Sequence, residues 1–120
     1  MINYEFLNEI KGLFPLILKR KASQSIDTDD MAIDYQDSIV DRLDRQLFLL
    51  KENTELLAQA KKENDELVME VALLRIRTHS MSLSGFFDAI AEDATLLIKT
   101  DGWPDIPENY QVPEHYNYPK

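Results

Sequence analysis

Residues 43–79 read LDRQLFLLKENTELLAQAKKENDELVMEVALLRIRTH, and the fold turns on how this stretch is read. It contains neither glycine nor proline, and that freedom extends back to SIDTDD at 25–30. Leu43, Leu47, Leu50, Thr54, Leu57, Lys61, Asn64, Val68 and Val71 fall at alternating steps of four and three. That is the seam spacing of a left-handed coiled coil. The expected element is one long helix, capped by Asp27 or Thr28 and running to about His79. RIRTH at 75–79 then places cations at its negative end. Thr54, Lys61 and Asn64 weaken the seam, and a second apolar set, Leu67, Val71 and Leu74, is displaced around the helix. The seam therefore shifts phase across AQAKKENDE at 58–66, or the helix changes neighbours there.

Shorter helices flank this run. Leu7, Ile10, Phe14, Ile17 and Leu18 share a face of a first helix of about fifteen residues, with Asn3 placed to cap it. Pro15 predicts a kink or break near Leu13. ASQS at 22–25 reads as a linker. A third helix is expected after MSLSG at 81–85, capped by Ser82 or Ser84 and striped by Phe87, Ile90, Ala94 and Leu97. Gly102, in the left-handed closing position, and Pro104 end it. The fold class is all-α: a long central helix with a coiled-coil-like seam, two shorter packed helices and an extended carboxyl-terminal strap. Residues 1–102 form the helical, oligomerising part and 103–120 the strap.

Lengths imply a partner. At 1.5 Å per residue a helix of ~50 residues is about 75 Å long, and flanking helices of about 23 Å each leave part of its seam uncovered. Pairing two copies through Leu43, Leu47, Leu50, Leu57, Asn64, Val68 and Val71 covers it, with Asn64 as a polar seam residue that selects register. The competing arrangement places a break in AQAKKENDE and folds two medium helices back on each other. The strap, DGWPDIPENYQVPEHYNYPK, holds four of five prolines and the only tryptophan. Its apolar row, Trp103, Ile106, Tyr110, Val112 and Tyr116, fits no single helical face, so it is expected to lie extended on the helices or on a partner.

Charge directs the functional reading. The chain of 120 residues carries -9 and has no cysteine, which excludes disulfides and thiolate metal sites and fits a cytoplasmic protein. Residues 1–21 have a balance of +2, leaving -11 on the remaining 99. Basic clustering is confined to KRK at 19–21, so direct nucleic-acid binding is not expected. No apolar run reaches the roughly eighteen residues a membrane span needs. Asp30, Asp34, Asp37, Asp41 and Asp44 recur at steps of four and three, which on a continuous helix makes one acidic face. Such a row either is the wet side of an amphipathic helix or engages a basic groove on a protein partner. In being short, acidic and free of cysteine, the chain is similar in type to inhibitors of DNA-binding enzymes, including small phage-encoded anti-defence proteins.

Catalysis finds little support. DTDDMAIDYQDS has alanine and serine where an EF-hand loop needs glycine and glutamate. Three glycines, at 12, 85 and 102, cannot build a phosphate loop or nucleophile elbow. Glu63, Glu66 and Glu70, with Asp88, Glu92 and Asp93, form the nearest carboxylate set. It loosely resembles the all-helical nucleoside triphosphate pyrophosphohydrolases, in which Glu-x-x-Glu and Glu-x-x-Asp hold magnesium. Here Thr95 stands where the second pair needs its aspartate. The expectation is a non-enzymatic binding protein without metal or cofactor, partnered by itself and by another protein; a purely structural oligomerisation module or a metal-dependent nucleotide hydrolase are the alternatives.

Overall fold

The computed structural model describes residues 3–21 and 28–119. The chain is all-helical, with a long central helix packed against two others. Helix α1 spans Phe6–Lys21, α2 spans Ile39–Glu63 and α3 spans Glu66–Ile98. Single 3-10 turns occupy Thr28–Asp30 and Glu114–Tyr116.

The long helix is α3 rather than a continuous 28–79 segment, and the chain reverses inside AQAKKENDE. Asn64 takes a left-handed conformation (φ 55°) and its N–H reaches back to the carbonyls of Ala60 and Lys61, closing α2. Asp65 then opens α3 by accepting a hydrogen bond from the Val68 amide at 3.2 Å. Asparagine tolerates positive φ better than other residues with a Cβ, and aspartate is a strong amino-terminal cap. Two adjacent polar residues thus make the turn without glycine or proline. Asn64 is a turn residue, and its expected role as a polar seam position is corrected.

The two helices form an antiparallel hairpin. On α2 Ile39, Leu43, Gln46, Leu50, Asn53, Leu57 and Ala60, at steps of four and three, are buried or half-buried, and Val40, Leu49 and Leu56 widen the covered face on one side. Leu43, Leu50 and Leu57 match the expected seam spacing, and within one chain they lie on the side of α2 packed against α3. The intervening positions are Gln46, Asn53 and Ala60 rather than Leu47, Thr54 and Lys61, one residue earlier each time. Ala60 and Ala72 are almost wholly buried, and small residues near the turn let the backbones approach closely. Asn53 satisfies its amide on the Leu49 carbonyl at 2.8 Å, and Gln46 meets His79 at 3.0 Å across the hairpin. Val68 and Val71 are half-buried on α3.

No break occurs at MSLSG. α3 runs through Gly85, and Ser82 returns its hydroxyl to the Thr78 carbonyl instead of capping a new helix. The facing residues of the carboxyl-terminal half are Phe86, Ile90, Asp93 and Leu97, with Phe87 turned outward. The helix closes at Lys99, and Gly102 has the expected positive φ of 88°. α1 continues through Pro15 without a break, Asn3 accepts from the Glu5 amide at 2.9 Å, and Leu7 and Leu18 pack into the two core clusters. The linker reading of 22–25 lies outside the described residues.

Replacing Asn64 by alanine keeps side-chain size small but strains the left-handed position. Asn64→Ala is expected to lower unfolding free energy by about 1 kcal/mol, and Asn64→Gly to leave it within roughly 0.5 kcal/mol, both read by chemical denaturation.

Candidate functional site

The segment between α1 and α2 organises the functional end of the molecule. Met31, Ile33 and Tyr35 turn inward while Ala32, Asp34 and Gln36 face solvent, an alternation of period two rather than a helical one. Its cause is Asp93. This carboxylate, 1% exposed on α3, accepts hydrogen bonds from the Ala32 amide (2.7 Å), the Ile33 amide (2.8 Å) and the Tyr35 hydroxyl (3.0 Å). Backbone amides held by a side chain are not available for helical bonds, so 31–37 crosses the hairpin as an irregular strap.

The acidic row is changed accordingly. Asp30 ends a 3-10 turn, Asp34 and Asp37 lie in the strap, and only Asp41 and Asp44 sit on a helix. One helical face of five aspartates does not exist, because α2 starts only at Ile39. Ser38 starts it, its hydroxyl accepting from the Asp41 amide at 3.2 Å, while Asn8 of α1 accepts from the Ile39 amide at 3.0 Å. Lys11 of α1 donates to the Asp37 carbonyl. All five aspartates are nevertheless exposed within one short segment, and Asp34 makes a loose ion pair with Arg42 at 3.9 Å.

Strap, α2 and α3 enclose a cleft of about 320 Å³. Ile33, Ile39, Leu43, Leu83, Phe86 and Ile90 supply apolar wall, and Asp34, Arg42, Gln46 and Ser82 supply polar groups. Gly85 also lines it, and a Cβ built there meets nothing within 4 Å. A space of this size, at the lower end of ligand-pocket volumes, takes one or two large apolar side chains. Tyr35 is beside it structurally but not chemically poised. Burial, the bond it donates to Asp93 and the nearby negative charge all push its phenol well above the ordinary tyrosine range, so it stays protonated.

The strap at the carboxyl terminus is held at one point. The Trp103 indole N–H donates to the Leu97 carbonyl (2.8 Å) and the Thr100 hydroxyl (2.9 Å). Lys21 lies 4.7 Å from the Trp103 ring centroid and donates to the Gly102 carbonyl at 2.9 Å. Beyond it Ile106 is 84% exposed, and Tyr110, Val112 and Tyr116 are exposed too. Within one chain, the helices therefore do not cover this row.

The carboxylates considered for magnesium are kept apart. Glu63, Glu66 and Glu70 lie at the hairpin turn, whereas Asp88, Glu92 and Asp93 lie near the far end of α3, about 39 Å along the axis from Glu66 to Glu92. Asp93 is occupied by its three donors. Among the described residues, no three of His, Cys, Asp or Glu are grouped to hold a metal ion, and no helix is long and apolar enough to cross a membrane. Comparisons with protein-family models, curated proteins and solved structures found no match to the chain.

The importance of Asp93 was visible only indirectly. It follows Phe86 and Ile90, and precedes Leu97, at seam steps of four and three, so a charged residue occupies a core position. Asp93→Ala leaves two backbone amides and a phenol without their acceptor and is expected to cost about 2–4 kcal/mol by denaturation. Asp93→Asn is expected to cost less. The raised Tyr35 pKa stabilises the fold fully below the ordinary tyrosine pKa of about 10, and this contribution falls as pH rises beyond it. In an alkaline absorbance titration one of the five tyrosines is expected to ionise last, and Tyr35→Phe is expected to remove that late step.

Proposed function

We propose that the protein is a non-enzymatic, self-associating binding protein of the cytoplasm that acts as an adaptor or inhibitor of a protein partner. The observation that carries this reading is the apolar cleft set into the acidic segment 30–44. Apolar walls of Ile33, Leu43, Phe86 and Ile90 accept an anchoring side chain, and release of water from those walls favours binding. Exposed carboxylates of Asp30, Asp34, Asp37, Asp41 and Asp44 attract basic groups around that anchor. The partner surface that fits is a basic segment carrying a large apolar residue, and the chain's net charge of -9 steers such a surface in from a distance.

This combination also suits an inhibitor of a nucleic-acid-binding protein, whose basic groove would meet carboxylates in place of phosphates. No catalytic step is assigned. The protein works by occupying a surface, with affinity set by the anchor and on-rate by the acids.

Two variants separate anchor from charge. Gly85→Leu adds an apolar side chain to the cleft wall where there is space, so it is expected to preserve or raise the melting temperature while cutting partner capture at least tenfold. Asp34→Lys with Asp37→Lys and Asp41→Lys is expected to leave the fold intact and to abolish the salt-sensitive part of capture. Quantitative pull-down with mass spectrometry, wild type against each variant, reads both. A capture profile unchanged in both variants leaves the purely structural oligomerisation module as the better account.

A further inference from the structure

Of the apolar surfaces left uncovered in the described structure, two are complementary to each other. On α1, Phe6, Leu13 and Leu16 are exposed by 49%, 53% and 66% and lie seven and three residues apart, on one helical face. Arg20 extends that face one turn further, with Lys19 beside it, and neither has an ion-pair partner among the described residues. The carboxyl-terminal strap presents Ile106, Tyr110, Val112 and Tyr116, interleaved with the exposed acids Asp105, Glu108 and Glu114. The first 21 residues are net positive in a strongly acidic chain, and the strap is acidic.

We infer that the occupant of the outer face of α1 is the carboxyl-terminal strap of a second copy, exchanged reciprocally in a two-fold dimer. Reach allows it: at ~3.1 Å per residue, the segment from Ile106 to Tyr116 extends up to about 34 Å, against an α1 length of about 24 Å. Charge favours it, since an acidic strap laid along α1 brings Glu108 or Glu114, according to its direction, to Lys19 and Arg20 in the last turn of the partner's helix. Size suits it: aromatic side chains bury about 150–250 Å² each, so two reciprocal contacts hide on the order of 1,500 Å², within the range of stable dimers. Symmetry completes it, because each chain offers one strap and one α1 face, and a two-fold operation satisfies both at once. Trp103 serves as the fixed root from which the strap leaves its own chain. This rests on the self-association part of the proposed function and is independent of what the cleft binds.

Charge exchange tests it directly. Glu108→Lys with Glu114→Lys gives a chain with a basic strap, and Lys19→Glu with Arg20→Glu gives one with an acidic α1. In native mass spectrometry and light scattering at physiological salt, the wild type is expected as a dimer, and each reversed chain alone as a monomer with unchanged helical circular dichroism. An equimolar mixture of the two is expected to recover a heterodimer, because both of its contacts are then complementary. Should a reversed chain lose its helical signal, Leu16→Gln and Tyr116→Gln take its place, each expected to weaken dimerisation at least tenfold. A monomeric wild type, dimers that survive either reversal, a mixture that stays monomeric, or glutamine variants with unchanged dissociation constants would overturn the inference. Binding of a monomeric wild type to anionic vesicles would instead assign the α1 face to a lipid surface. Loss of the dimer with partner capture intact would leave the cleft reading standing.

Discussion

The Asp93 carboxylate is the constraint on which the functional end depends. A buried negative charge is costly unless it is hydrogen-bonded, and here two backbone amides and a phenol provide the bonds. Because those amides belong to Ala32 and Ile33, the solution to the charge's burial is also the device that keeps 31–37 out of helix. Met31 and Ile33 are thereby delivered into the core beside Leu18, Leu97, Leu7 and Ile39. Asn8 and Lys11 of α1 then fix where α2 begins. One wall of the cleft and the placement of the acidic residues follow from the same arrangement.

The hairpin depends on a different balance. A polar stretch with high helical propensity is reversed by two residues, Asn64 in the left-handed region and Asp65 as cap. The reversal gains the burial of two amphipathic faces along most of α2, while the small residues Ala60 and Ala72 let the backbones close near the turn. Polar residues on those faces are tolerated because each finds a bond: Asn53 on its own helix, Gln46 on His79. The apolar side chains that the hairpin cannot cover remain on α1, on the outer sides of α2 and α3 and on the strap. Such exposure is the feature on which the proposed self-association rests.

Sequence periodicity made the helical class, the first helix and the end of α3 at Lys99–Gly102 legible. Proline and glycine placement carried much of that reading, since their backbone restrictions act locally. Leu43, Leu50 and Leu57 were also recognisable as one face. Which partner they faced was not, because a seam within one chain and a seam between two have the same spacing. The spacing of Leu43, Leu50 and Leu57 leaves the intervening position open by one residue, and packing buries Gln46, Asn53 and Ala60 there rather than Leu47, Thr54 and Lys61.

By itself, then, the sequence determined features whose causes are local: the amphipathic helices and the left-handed glycine at 102. Tertiary structure alone decided the fate of the aspartates. Asp30, Asp34, Asp37, Asp41 and Asp44 have helical spacing on paper, but Asp93, roughly sixty residues further on, captures the amides that such a helix would need. A hydrogen bond across that separation leaves no mark on local periodicity. The acidic surface survives as an irregular segment around a cleft, and its shape is set by one buried carboxylate that sequence position alone could not connect to it.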